Sequence, residues 1–455
     1  MRTLRDSGKA LASRSLSASE LLDASLAAID ADLARGGSTY THIDRLAARE
    51  AASSSDAFRQ RGYVPSALAG VPVSVKDLFD IKGQVTTAGS RILRDAAPAV
   101  RDAAAVARLR EAGAVFVGRT NMSEFAFSGL GLNPHYGTPL NPAHAKRLAG
   151  GSSSGAAVSV ALGHVAAALG TDTGGSVRIP AAFCGLVGFK PTARRVPLDG
   201  TVPLSTSFDS IGPIARSVDC CALIDGIVSG QALDTAPRAL AGLRLGVTSD
   251  YVADDLDETV STAFNRAIGM LRRAGASVER FAFPELHEVA GRYPLAGITA
   301  AQAWAWHREH VARDADAYDP RVLKRLRAGE GRSAADYIDL LAARERFVRD
   351  TRARLARFDA WLMPTVAIVP PAIASVESDD EAFSSTNAKV LRNPAVVNFM
   401  DGCALTLPCH REGELPVGLS ICGPALADAS VLAIARSVEV LLRHGETVVT
   451  ASSQV

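Results

Sequence analysis

"AGGSSSGAAVSVALGHVAAALGTDTGGSVRIPAAFCGLVGFKPT", residues 149–192, sets a glycine-flanked run of three serines, and a second serine cluster reduced to Ser176 after two glycines, among short apolar runs. A short helix over about 154–162 begins at the serine run. "HVAAALG" (164–170) then predicts a strand whose side chains are so small that neighbouring elements must approach closely. "GSVRIPAAFCG" starts a second helix and "LVGFKPT" leads out of it. Helix and strand alternating over so short a span indicate an α/β layered fold.

The same alternation extends outward. In "ALAGVPVSVKDLFD" (67–80), Val71, Val73 and Val75 face one way and Pro72, Ser74 and Lys76 the other. A helix is expected at 102–112, with Asp102 as N-cap and Gly113 after its end, and "AVFVGRTN" (114–121) reads as a strand. Residues 1–65 read as Ala-rich helices, with a Ser17–Glu20 capping box ahead of "LLDASLAAID". Beyond a surface connection at 232–242, "LRLGVTSD", a helix at about 256–274 and "SVERFAF" repeat the strand–helix–strand pattern. From about 295 to 357 the chain reads helical and charged, with Trp304, Trp306 and Tyr337 its notable large side chains. "DAWLMPT" (359–365) and the residues beyond it supply further strands, and a helix closes the pattern at about 427–443.

Composition excludes several function classes. The 455 residues carry 49 basic against 48 acidic side chains, a balance unsuited to nucleic acid or an anionic membrane surface. Aromatic residues are only 5%, too few for base-stacking platforms. The six cysteines form no C-x-x-C and do not pair with histidines at zinc spacing, so they read as small buried hydrophobes in a reducing compartment. Residues 148–171 lack Asp, Glu, Lys and Arg, but Gly150, Gly151, Gly155 and the serines argue against a membrane span. The first residues lack the apolar core of a secretory signal, and a cytoplasmic protein is expected.

Four chemical patterns compete. "GSSSG" (151–155) matches G-x-S-x-G with Ser153 at its centre, but the loop-like "NPAHAKRLAG" precedes it where a nucleophile elbow needs a strand. A phosphate cradle would need the P-loop lysine or G-x-G-x-x-G, and neither occurs. "HREH" (307–310) lacks the order of a zinc protease and reads as a solvated helix face, while His164 reads as a satisfied core histidine. The fourth is Lys76 with Ser152 and Ser176. A serine attacks well only when a base takes its proton, and a lysine is that base only when burial keeps it neutral.

The strings "VPVSVKD", "AGGSSSGAA", "GTDTGGSVRIPAAFCGLVGFKPT" and "DSIGPIARSVDC" occur in the order and spacing of the amidase signature family, which the chain resembles. The resemblance is strong over roughly 65–225 and weak over most of the rest, including "LPVGLSICGP" (415–424). It implies a single domain over 1–455, with a large mixed sheet covered by helices on both faces. Its parts would be the helical region 1–65, a signature core at 66–225, and a C-terminal part at 240–455 whose 295–357 stretch helps form the substrate pocket. It further implies that Ser176 is the nucleophile, that Ser152 after a cis peptide bond relays the proton, and that Lys76 is the general base. The N–H groups of Thr173, Gly174, Gly175 and Ser176 would form the oxyanion hole, aided by the helix starting near Ser176, and Ser153 would help hold the lysine. No metal and no cofactor is required.

The implied activity is hydrolysis of a carboxylic amide through an acyl-enzyme, extending to esters, aryl amides or carbamates, with urethane cleavage the narrower variant. The alternative is the glutamine-hydrolysing subunit of a tRNA amidotransferase. The expected partner is a small-molecule amide or carbamate, without nucleic acid or membrane, in a monomer or homodimer. The pocket is expected from 124–137, 304–337 and about 399–404. "DGCAL" (401–405) and His410 depart from the family pattern, so the substrate of a particular relative does not carry over.

Overall fold

The computed structural model describes residues 3–287 and 296–445. Among these residues, eleven strands form one sheet. In the first half of the chain they are β1 (Tyr40–Ile43), β2 (Pro72–Lys76), β3 (Val115–Thr120), β4 (Ala167–Thr171), β5 (Val187–Lys190) and β6 (Ile211–Ala215). Then come β7 (Arg244–Val247), β8 (Ser277–Arg280), β9 (Ala360–Pro364), β10 (Cys403–Pro408) and β11 (Gly418–Gly423). The spatial order is β1-β3-β2-β4-β6-β5-β10-β11-β9-β7-β8. β3, β2 and β4 run parallel, as do β8, β7 and β9, and antiparallel pairs join the two groups into a mixed sheet.

Every residue of β2, β4, β6, β9 and β11 is buried, as a sheet covered on both faces requires. The period-two reading of β2 therefore separates two buried faces. Val71, Val73 and Val75 enter the main apolar core, while Ser74 meets the Ser159 hydroxyl at 2.9 Å and Lys76 enters a polar interior. The helix Ser154–Ala161 packs on β4 and on the end of β3. A Cβ at Gly155 would stand 2.3 Å from the Thr39 carbonyl oxygen and 2.7 Å from the Asn121 nitrogen, so only glycine permits this approach.

Four local expectations change. The region 1–65, expected to be helical, also contains β1 (Tyr40–Ile43), which pairs antiparallel with β3. The helix expected at 102–112 spans Ala104–Glu111 with Ala103 as its uncapped N-cap. Asp102 instead accepts the Lys82 N–H at 2.7 Å and the Arg110 Nε–H at 2.7 Å, partners that outcompete the cap. His307 of "HREH" is buried and bonded to the Tyr318 hydroxyl at 2.9 Å, because the helix Ala296–Asp314 lays that face on Phe125. His164 is buried and stacked on Tyr40, but its ring nitrogens have no hydrogen-bond partner among the described residues. Burial pushes it down to about 4, so it is a neutral packing residue. Among the described residues, no helix is long and apolar enough to cross a membrane.

Candidate active site

The C-terminal ends of parallel strands leave backbone and side chains free to converge. Lys76 is the last residue of β2 and Thr171 the last of β4; Ser152 lies in the turn before the helix that returns from β3. Lys76 is fully buried. Its Nζ donates to Ser152 Oγ at 2.7 Å and to Thr171 Oγ1 at 2.9 Å. The Gly151–Ser152 peptide bond is cis. Ser153 N–H donates to the Ser176 carbonyl at 3.2 Å, which ties the serine run to the second cluster. The turn after Lys76 is fixed by the buried Arg119, which donates to Asp77 at 2.6 Å and to the Phe79 carbonyl at 2.7 Å.

Burial pushes the Lys76 ammonium down to about 7, against the opposing charges of Asp209 and Asp172. A substantial fraction of this lysine is therefore a neutral amine near neutral pH. Burial also pushes Asp209 up to about 6, although it accepts the Thr173 hydroxyl and the N–H groups of Leu204 and Ser205. Asp172 behaves oppositely. Its burial favours the neutral acid, but the Arg178 guanidinium, with Lys190 and Asn398, outweighs that and holds it well below the usual carboxylate range.

Asp172 organises the second serine cluster. Its two oxygens accept N–H groups of Gly175 at 2.9 Å and Val177 at 3.2 Å, and the Arg178 side chain at 2.9 and 3.0 Å. This corrects two expectations. The Gly175 N–H is engaged inward, so of the four proposed oxyanion donors only those of Thr173, Gly174 and Ser176 lack a partner among the described residues. The helix here is only Arg178–Phe183, and its leading N–H groups likewise face Asp172. Gly175 has φ +123°, and a Cβ there would meet the Pro394 ring at 2.6 Å. A third correction concerns Ser153. Its hydroxyl donates to the Thr171 carbonyl at 3.3 Å, and the lysine's second partner is Thr171 itself.

The family description "Amidase" matches residues 20–432. The chain belongs to the amidase family. It is 38% identical to the 2-amino-5-chloromuconic acid deaminase of Comamonas testosteroni, over 90% of each chain. It is 35% identical to a glutamyl-tRNA(Gln) amidotransferase subunit from Anaeromyxobacter sp. (strain K), covering 96% of this chain and 95% of the relative. A crystal structure of an amidase superposes with a TM-score of 0.87 at 33% identity, covering 96% of this chain and 98% of the other.

In this amidase-family fold, Ser176 opens on a cavity of about 300 Å³. Residues 126–128, Arg325 and Phe399 come from the three expected stretches. Thr173, Gly174 and Thr299 also fall in expected stretches, but other walls were not expected: Leu204 and Phe208 from the loop before β6, Tyr251 after β7, and above all the helix Asp380–Phe399. That helix turns Leu391, Ala395 and Asn398 into the cavity while its asparagines pin three loops. Asn387 accepts the Gly129 N–H at 2.9 Å, Asn393 donates to the Val252 and Pro364 carbonyls at 2.8 and 3.0 Å, and Asn398 donates to Asp172 at 2.9 Å. The asparagines of "NAKVLRNPAVVNF" (387–399) stand six and five residues apart, so no i, i+3 or i+4 period marks them in the sequence.

Proposed function

We propose that the chain is a serine amidohydrolase that cleaves the carbon–nitrogen bond of small carboxylic amides through an acyl-enzyme, with its whole length acting as one domain. The observation that carries this reading is the 2.7 Å contact between Lys76 Nζ and Ser152 Oγ beneath the loop that ends in Ser176. Neutral Lys76 takes the proton of Ser152, which takes that of Ser176 as its Oγ attacks the carbonyl carbon. The N–H groups of Thr173, Gly174 and Ser176 stabilise the oxyanion. The proton returns by the same relay to the leaving nitrogen, and water attacks the acyl-enzyme in the second half. Aryl amides, esters and carbamates pass through the same tetrahedral geometry, which keeps urethane cleavage within this proposal.

A fluorophosphonate probe is expected to label Ser176. Peptide mapping that placed the label on Ser153 would favour the nucleophile-elbow pattern instead. A panel of aliphatic amides, aryl amides, p-nitrophenyl esters and carbamates ranks the substrate classes.

The pH profile follows from the buried lysine. Protonated Lys76 cannot accept a proton, so kcat/KM rises with pH through about 7 and stays high in alkali. Below that point it falls about tenfold per pH unit, as one essential base requires. Replacing the nine histidines singly should leave this acid limb in place. If one histidine variant erased the limb, the base would be that histidine.

A second reading is favoured by the 35% identity, over 96% of the chain, to a glutamyl-tRNA(Gln) amidotransferase component: a glutamine-hydrolysing subunit that works within a complex. The Comamonas relative, at 38%, is named a deaminase of 2-amino-5-chloromuconic acid, also a reaction at a carbon–nitrogen bond. Hydrolysis of simple amides by the purified chain alone supports the first reading; turnover restricted to glutamine in the presence of partner subunits supports the second.

A further inference from the structure

The cavity beside Ser176 contains a cation that no described residue neutralises. Arg325, in the helix Pro320–Arg327, lines the cavity. Its Nε is buried with no hydrogen-bond partner, and among the described residues the guanidinium has no carboxylate at ion-pair distance. It packs against the Phe127 ring, 4.6 Å from Cζ to the centroid. That contact covers one face of the guanidinium and leaves its edge donors unmatched.

Three arginines buried elsewhere in the fold differ. Arg119 has Asp77, Arg178 has Asp172 and Arg195 has Asp225, each within 2.9 Å. Burial pushes the Arg325 guanidinium down to about 10 with no carboxylate opposing the shift, and it stays charged at neutral pH. The second arginine of the wall, Arg392, is held by the Asn393 side-chain oxygen at 2.9 Å. Among the described residues no Asp or Glu lines the cavity, and Phe127, Leu204, Phe208, Leu391 and Phe399 make much of the remainder apolar. A desolvated cation without a counter-ion is costly, and a pocket that keeps one is complete only when an anion enters.

We propose that Arg325 receives a carboxylate carried by the substrate, so that the amides cleaved at Ser176 are short amides bearing a free carboxylate across an apolar segment from the scissile carbonyl. A carboxylate is favoured because the guanidinium fork matches it in two parallel hydrogen bonds, and one unpaired fork in an apolar wall suits a monoanion. The proposal rests on Ser176 being the nucleophile.

The test compares the monoamides of succinic, glutaric and adipic acids with butyramide, pentanamide and hexanamide, measuring ammonia release. At least one acid should exceed its neutral partner in kcat/KM by about a hundredfold or more, as expected when a site built for a polar group meets an analogue lacking it. R325M should erase that ratio, chiefly through KM. A wild-type enzyme indifferent to the carboxylate, or an R325M enzyme that keeps the preference, would overturn the inference while leaving the amidohydrolase reading intact. Calorimetric titration with glutarate against glutaramide decides the matter independently of turnover. Wild-type chain binding glutarate alone supports the anion subsite even if no amide is cleaved, and equal or absent binding of the two sinks it even if R325M fails to fold.

Discussion

Ser176→Ala, Ser152→Ala and Lys76→Ala are each expected to lower kcat by about 10⁴-fold or more, and the triple substitution by little more than the worst single one. The reason is the shared proton path. Lys76 and Ser152 are in direct contact at 2.7 Å, with the lysine sealed from solvent, so no water can replace either partner cheaply. Removing one member leaves the others without a function to perform, and further losses cost almost nothing. Residual activity over the uncatalysed rate should survive from the oxyanion donors and substrate binding. Any single variant within tenfold of wild type would place that residue outside the proton path. Circular dichroism on each variant separates lost chemistry from lost fold.

The other large effect concerns stability. Asp172→Ala is expected to destabilise the fold by about 3–5 kcal/mol, because it leaves the fully buried Arg178 guanidinium without its carboxylate. It also removes the acceptor for the Gly175 and Val177 N–H groups, so kcat should fall with stability as the loop around Ser176 loosens. Arg178→Met alone should cost a comparable amount, since the buried Asp172 then loses its main compensating charge. The double variant should cost clearly less than the sum of the singles, because no uncompensated charge remains. Urea denaturation of the four proteins measures this coupling. Strict additivity would mean that Asp172 and Arg178 are stabilised by separate partners.

Much of the molecule is legible in the chain itself. Several helices lie close to their expected positions: Ser154–Ala161 for 154–162, Glu258–Arg273 for 256–274 and Asp428–His444 for 427–443. The Ser17–Glu20 capping box forms as read, with both reciprocal bonds present. These features are local. Periodicity, caps and glycine punctuation act within a few residues and leave their mark in sequence. The motifs around Lys76, Ser152 and Ser176 are likewise contiguous enough to imply the family to which the chain belongs.

The features that sequence reading misses depend on which groups the folded chain brings together, near or far in sequence. Asp102 looks like a helix cap and bonds Lys82 and Arg110 instead. Ser153 looks like the lysine's support, yet Thr171, 95 residues from Lys76, holds that place. The Gly175 N–H counts as an oxyanion donor until Asp172 claims it. Glycine-rich turns, apolar periods and signature strings thus determined the α/β class, the family and the residues to consider. Only the tertiary structure decided which donors remain open and which helix walls the cavity. It also decided that Lys76 is buried deeply enough to be near neutrality, because burial and charge are set by the sum of distant neighbours, which no short stretch of sequence records.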